Sequence, residues 1–227
     1  MIKEIHSTGL SVRDLEASIS FYCTEEAYEV IERFDIADDD KTRAAYGIDN
    51  SEAKGALLRG HAGFLELTQF SDNHEPEGDA RGVYAAGLRH ICIRARDGHG
   101  LFDNLVEKGA GWHARPSGLG TGVDYAYIRD PEGNLIELEG LPMMPPGVMK
   151  PWFDHAALVS ADMDRLAGFY EMLTETKMTR RNSFGPEAKF DKVAGLEGIV
   201  FDGSWILFGL SRIEMWDFVF PHFDPAK

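Results

Sequence analysis

The chain has 227 residues, of which 44% are hydrophobic and 27% charged, and its formal net charge is -15. This length suits one large or two small domains, and the negative charge argues against nucleic acid or an anionic membrane as a partner. No apolar run approaches the roughly 18–20 residues of a membrane span, and the sequence opens without a signal-peptide pattern. The two cysteines, Cys23 and Cys92, predict reduced, buried thiols in a cytoplasmic protein.

The first repeat opens with a strand that carries His6 near its start. The segment from Asp14 to Tyr22 follows, and its apolar residues lie three and four apart, as in an amphipathic helix. Further strands are predicted at residues 56–59 and 63–70. The second of these strands places a carboxylate, Glu66, between apolar neighbours.

The second repeat has the same plan, with His90 at the start of a strand and a helix after Asp97. Residues 130–133, Asp-Pro-Glu-Gly, predict a tight turn between two strands, because Pro presets φ and Gly tolerates a positive φ. The strand after the turn contains Glu137 inside an apolar run. A buried charge of this kind is costly unless it is paired or bound to a metal ion.

A Pro-rich linker, residues 141–151, separates these repeats from a third one that begins with His155. Each repeat reads as strand, helix and about three strands, which predicts an α+β protein built from tandem βαβββ modules. Since one such module cannot bury its sheet alone, we expect modules one and two to pair within residues 1–140. The third module and a C-terminal tail, residues 152–227, then stand without a partner.

The strand–helix openings and the turn at residues 130–134 resemble the vicinal oxygen chelate superfamily, which includes glyoxalase I, bleomycin-resistance proteins and extradiol dioxygenases. The resemblance covers residues 1–140, and more weakly residues 152–212. It implies that paired modules form an open, cup-shaped mixed sheet with helices outside.

The resemblance also implies a metal site on the first and last strands of the paired modules. The matching positions hold His6, Glu66, His90 and Glu137. Each of them alone is more often an ordinary strand residue, but all four at equivalent positions favour a divalent ion: Zn, Ni, Co, Mn or Fe(II). Two open positions on the ion would chelate a small-molecule substrate through adjacent oxygens.

The third module is expected to be degenerate. His155 corresponds to His6 and His90, but alignment of residues 203–210 with 60–67 puts Gly209 where Glu66 stands. A structural or dimerisation role follows, and with it a homodimer. Tyr127 is a further candidate, since an inward phenol could donate a hydrogen bond to a bound oxyanion, although it could equally pack in the sheet with its hydroxyl at the rim.

Three functions remain open. The first is glyoxalase-like proton transfer by a lyase, isomerase or epimerase, with Glu137 or Glu66 as the base. The second is extradiol ring cleavage with Fe(II) held by His6, His90 and Glu137, although residues 118–120 lack the acid/base histidine of that family. The third is a metal-free protein that sequesters a ligand, against which the four ligand residues count.

Overall fold

The computed structural model describes residues 2–24, 27–72, 82–143, 146–209 and 211–222. Three consecutive modules make up the described chain, and part of the expected C-terminal tail, residues 223–227, lies outside it. The first module contains β1 (Ser7–Ser11), α1 (Leu15–Tyr22), β2 (Glu29–Ile36), α2 (Asp40–Tyr46), β3 (Ala53–Arg59) and β4 (Phe64–Phe70). The second contains β5 (Gly87–Ala95), α3 (Gly98–Glu107), β6 (Gly111–Trp112), β7 (Ser117–Gly118), β8 (Asp124–Arg129) and β9 (Leu135–Gly140). The third contains β10 (Trp152–Val159), α4 (Met163–Thr174), β11 (Asn182–Phe184), α5 (Ala188–Ala194), β12 (Val200–Phe208) and β13 (Ser211–Phe220).

The first helix of every module begins at an aspartate that caps it. Asp14, Asp97 and Asp162 each accept a hydrogen bond from the backbone N–H three residues later, at 2.9–3.0 Å. This contact satisfies one of the free N–H groups at a helix start. The three caps give a fixed point from which equivalent positions in the modules can be counted.

The strands form two open sheets, and these determine which modules pair. The first module has a four-stranded sheet of its own, in the order β1-β4-β3-β2. Modules two and three share a larger mixed sheet, in the order β11-β12-β13-β10-β5-β9-β8-β6, with β7 on β8. At its centre β5 pairs antiparallel with β10, while β5–β9 and β10–β13 pair in parallel.

This pairing corrects the expectation that modules one and two share a sheet while module three stands alone. The physical reason lies in the strands that could join β5. Six of the eight residues of β10, Trp-Phe-Asp-His-Ala-Ala-Leu-Val, are apolar, whereas β1, Ser-Thr-Gly-Leu-Ser, has one large apolar residue, Leu10. Pairing β5 with β10 therefore removes more apolar surface from water than pairing it with β1 could.

The core lies mainly on the helical sides of the sheets. One cluster joins α1, β3 and β4 of the first module to β5, α3, β8 and β9 of the second. Another places α4 of the third module against β12 and β13. A third cluster, which includes Tyr127, Phe201 and Trp216, packs on the opposite face of the larger sheet and borders a concave site there. None of the described helices is long and apolar enough to cross a membrane.

Candidate metal centre

Four buried side chains converge where modules two and three meet. They lie on four different strands of the larger sheet, and their ligand atoms are all within 4.8 Å of one another: His90 on β5, Glu137 on β9, His155 on β10 and Glu214 on β13. The register makes the arrangement nearly twofold. Glu137 lies beside Cys92, two residues after His90, and Glu214 lies beside Ala157, two residues after His155.

The distances in this cluster fit one divalent cation. His155 Nε2 lies 3.3 Å from Glu137 Oε2 and 3.4 Å from Glu214 Oε2. His90 Nε2 lies 3.7 Å and 3.4 Å from the same two oxygens. Ligand atoms about 2.0–2.2 Å from a shared cation lie roughly 3.0–3.5 Å from one another. The four side chains therefore leave a space of the right size between them.

Unpartnered polar atoms support the same conclusion. Within the described part of the chain, the Nε2 atoms of His90 and His155 and Oε2 of Glu214 are buried without a hydrogen-bond partner. Buried polar atoms in folded proteins almost always have one. A cation among them would satisfy all three, and two imidazoles with two carboxylates suit a borderline divalent metal.

A second layer of contacts orients the ligands. Tyr127 Oη donates a 2.7 Å hydrogen bond to Glu137 Oε1, so the hydroxyl that sequence analysis offered to a substrate is directed at a carboxylate. His155 Nδ1 lies 2.8 Å from Asp154 Oδ2. Because a carboxylate only accepts, this Nδ1 carries the proton and Nε2 faces the cluster. Asp154 is held in turn by Arg94, at 2.9 Å.

The electrostatics reflect the crowded charges. Burial by itself raises the pKa of Glu214, but the two facing imidazoles, His155 and His90, bring it to about 2. Burial disfavours the charged form of His155, yet Cys92, Asp154 and Glu137 raise its pKa well above the ordinary value. Positive charge is thus strongly favoured at the centre of the cluster, and a metal ion would supply it in place of protons.

The structure brings together only two of the four ligands that the sequence predicted, His90 and Glu137. Glu66 lies half-buried on β4, in the separate sheet of the first module. His6 is exposed before β1 and stacks on the Phe64 ring, with a centroid distance of 4.7 Å. This is a correction, and its reason is the module pairing described above, which leaves the first module outside the cluster.

Register also shows that His6 is one residue away from the equivalent position. Glu66 lies beside Gly9, so the residue that matches His90 in the first module is Ser7, two positions earlier. Counting from the helix caps gives the same result, since His90 precedes Asp97 by seven residues, as Ser7 precedes its capping aspartate. The degenerate module is therefore the first, and the expectation that the third is degenerate is corrected.

Sequence analysis missed Glu214 and set His155 aside. Gly209, the residue aligned with Glu66, comes directly after β12, and a further strand, β13, follows it. A usable signal was present, because Ile213-Glu214-Met215 places a carboxylate in an apolar run in the same way as Ile136-Glu137-Leu138. His155 precedes its capping residue, Asp162, by seven residues, which is the spacing between His90 and Asp97.

The cluster opens into a cavity of about 420 Å³, within the usual size range of small-molecule sites. Glu137, Glu214 and Tyr127 form part of its floor. One wall comes from α5, which is held by a contact of 2.8 Å between His113 Nε2 and the Val193 carbonyl. The two carboxylates of the cluster therefore line a pocket that a small molecule can enter, whereas His90 and His155 are not among its described lining residues.

Comparisons with known proteins agree with this fold. Glyoxalase I from Zea mays is 18% identical, with a TM-score of 0.63 over 95% of this chain and 67% of that chain. A glyoxalase family protein from Bacillus cereus is 21% identical, with a TM-score of 0.54 over 62% of this chain and 95% of that one. A proposed dioxygenase from Bacillus subtilis is 12% identical, with a TM-score of 0.55 over 95% of this chain and 64% of that one. At these identities the likeness shows the fold alone.

A search of curated protein sequences finds no significant match. A family model, the glyoxalase/bleomycin resistance protein/dioxygenase superfamily, matches residues 4–138. The match includes the Asp-Pro-Glu-Gly turn and two members of the cluster, His90 and Glu137. Since it spans more than half of the chain, the protein belongs to the glyoxalase/bleomycin resistance protein/dioxygenase superfamily.

Proposed function

We propose that the protein is a metal-dependent lyase or isomerase that transfers a proton on a small substrate with two adjacent oxygen atoms. The observation that carries the proposal is the convergence of four buried ligand atoms, three of them without a hydrogen-bond partner among the described residues, beside a pocket that Glu137 and Glu214 line. His90, Glu137, His155 and Glu214 would hold the ion. When bound, a divalent ion supplies Lewis-acid polarisation of the substrate oxygens.

Glu214 is the residue we assign to proton transfer. Glu137 Oε1 is already engaged by Tyr127, which restricts that carboxylate to one orientation. Glu214 lines the cavity, is ionised at neutral pH and has no hydrogen bond to its Oε2 among the described residues, so this carboxylate can leave the ion and act as a base. A carboxylate of this kind can take a proton from a substrate carbon and return it at the neighbouring one. This replaces the earlier candidate base, Glu66, which lies in the other sheet.

The number of carboxylates favours this reaction over extradiol cleavage. Ring-cleaving sites of the Fe(II) type use two histidines and one carboxylate, and keep the remaining positions open for catechol and O₂. Here a second carboxylate, Glu214, faces the same space as Glu137. The alternative of a metal-free binding protein does not account for two imidazole nitrogens that are buried without a hydrogen-bond partner among the described residues.

Elemental analysis of five proteins tests the ligand set. They are the wild type, His155→Ala and Glu214→Gln, with His6→Ala and Glu66→Gln as matched controls. About one equivalent of Zn, Ni, Co, Mn or Fe in the wild type and both controls, lost from His155→Ala and reduced in Glu214→Gln, would support the assignment. Retention by His155→Ala with loss from His6→Ala would refute it.

Deuterium uptake tests the reaction class. In D₂O, NMR would follow exchange of the C–H proton of 2-hydroxyketones in the presence of the metal-loaded protein. We expect exchange in the wild type and, per equivalent of bound metal, a loss of at least roughly 100-fold in Glu214→Gln, in line with the usual contribution of a general base. Equal exchange by both proteins would remove Glu214 from the mechanism.

We also propose a homodimer, on different grounds from those in the sequence. The third module is paired within the chain, so it needs no partner. Among the described strands, the sheet of the first module is instead the one that joins no other module's sheet, and its outer strand β2 is exposed along most of its length. Light scattering should give twice the chain mass of 25.3 kDa, whereas a monomer would contradict the proposal.

A further inference from the structure

The walls above the metal ligands are largely aromatic. Phe184 and Phe201 stack with a centroid distance of 5.1 Å, and Phe201 lies 5.0 Å from Trp216. Phe190 of α5 packs edge-on against Phe201 at 6.1 Å. Trp205 lines the same cavity. Flat rings that are already packed against one another present a rigid apolar surface, which favours a flat apolar ligand.

The charged groups of the described lining are either paired with a neighbour or directed at the metal position. Glu139 forms an ion pair with Arg94. Glu187 lies 3.0 Å from Lys189 Nζ, which also lies 5.0 Å from the centre of the Phe190 ring. Glu137 and Glu214 face the metal position. Among the described lining residues, Lys189 is therefore the one cation, and it is engaged by a neighbouring carboxylate.

This pattern does not suit a substrate with several negative charges. Carboxylate and phosphate groups are usually recognised by arginine clusters or by free helix N-termini. Here four glutamates line the cavity beside one lysine, so a polyanionic conjugate would meet repulsion. The remaining polar groups of the rim, such as Thr121 and Asn182, are neutral.

We infer that the natural substrate is an uncharged α-hydroxy carbonyl compound that bears an aromatic ring. Its two adjacent oxygens would lie at the ligand cluster, and its ring would lie against Phe184, Phe201 and Trp216. The inference rests on the proposed function for the position of the oxygens, and on the aromatic walls for the ring. It excludes thiol conjugates of acidic peptides as substrates of this pocket.

Isothermal titration calorimetry of the metal-loaded protein with three probes tests the inference. The probes are 2-hydroxyacetophenone, hydroxyacetone, which lacks the ring, and S-lactoylglutathione, which carries two carboxylates. Burial of the ring should make 2-hydroxyacetophenone bind roughly 10–100-fold more tightly than hydroxyacetone. S-lactoylglutathione should bind more weakly than 2-hydroxyacetophenone.

Two variants locate the ring. Phe184→Ala should remove most of the preference for 2-hydroxyacetophenone over hydroxyacetone. Phe169→Ala is the matched control, because Phe169 lies on α4, is 52% exposed and is outside the cavity. An unchanged preference in Phe184→Ala, or tighter binding of S-lactoylglutathione by the wild type, would overturn the substrate class.

The metal-free protein separates this outcome from failure of the proposed function. Binding of 2-hydroxyacetophenone that weakens when His155→Ala removes the metal supports both proposals. Binding that is equally tight with and without metal would overturn the role of the adjacent oxygens, and with it the proposed function. Tighter binding of S-lactoylglutathione to the metal-loaded protein alone would overturn only the aromatic substrate class.

Discussion

Replacement of Tyr127 by Phe removes one hydroxyl from the metal centre and leaves the ring in place. That hydroxyl donates a 2.7 Å hydrogen bond to Glu137 Oε1, and both residues are at most 5% exposed. Burial, followed by the charge of Glu137, raises the pKa of Tyr127 well above its ordinary value, so the phenol remains a donor at any working pH. The variant therefore leaves a buried carboxylate oxygen without its donor.

The expected magnitude follows from that contact. A hydrogen bond to a charged group contributes about 1.5–3 kcal/mol, and loss of a contact that orients a metal ligand weakens metal binding about 10–100-fold. We expect Tyr127→Phe to raise the metal Kd within that range, as measured by chelator competition. The Tm of the metal-free protein should fall by roughly 3–12 °C, at about 2–4 °C per kcal/mol.

Tyr125→Phe is the matched control. Tyr125 lies two residues earlier on β8 and faces the same side of the sheet, but its hydroxyl lies 3.2 Å from Thr121 Oγ1 near the rim. Its metal Kd should equal that of the wild type. An unchanged metal Kd in Tyr127→Phe would refute the reasoning. If kcat alone then fell, the hydroxyl would act on the substrate, as sequence analysis first suggested.

Three further outcomes can be measured on the same protein. Asp154→Asn should weaken metal binding about 10–100-fold in chelator competition, because the carboxylate that orients His155 loses its charge. Metal binding should weaken as the pH falls, because an imidazole must lose its proton before it can bind the ion. The raised pKa of His155 means that the weakening should begin above a pH of about 6.5, the pKa of a free imidazole. Titration of metal binding across this pH range would show it. Asp130→Ala should retain the metal but lower the Tm by about 6–12 °C. The lost carboxylate accepts hydrogen bonds from the Tyr22 hydroxyl at 2.6 Å and from the Asn134 N–H at 2.8 Å. Together these two bonds contribute about 3 kcal/mol to the free energy of unfolding.

Local structure followed well from the sequence. The turn at residues 130–133 is confirmed, with Gly133 at a φ of 90° and its N–H bonded to the Asp130 carbonyl at 2.9 Å. The helices expected after Asp14 and Asp97, and the one expected in the third module, are also confirmed. These features depend on the backbone preferences of a few neighbouring residues, which can be predicted from the residue types alone.

The pairing of modules could not be predicted in the same way. The alternation of inward and outward side chains that directs His90 toward the site is repeated in the third module. The pattern along one strand therefore does not predict which strand lies beside it. Comparison of whole strands would have helped, because residues 152–159 are far more apolar than residues 7–11. The correspondence of His6 to His90 was wrong by one residue, because the seven-residue spacing to the helix cap gives Ser7.

The connection between β9 and β10 has a consequence for how the ligand set behaves on dilution. Residues 141–151 tether the half that carries His90 and Glu137 to the half that carries His155 and Glu214. A tether of this length keeps one half at an effective concentration of about millimolar relative to the other. A metal site shared between subunits loses half of its ligands when the subunits separate. The four ligands of this protein lie in one chain, so they should stay together in a solution too dilute for any dimer to persist.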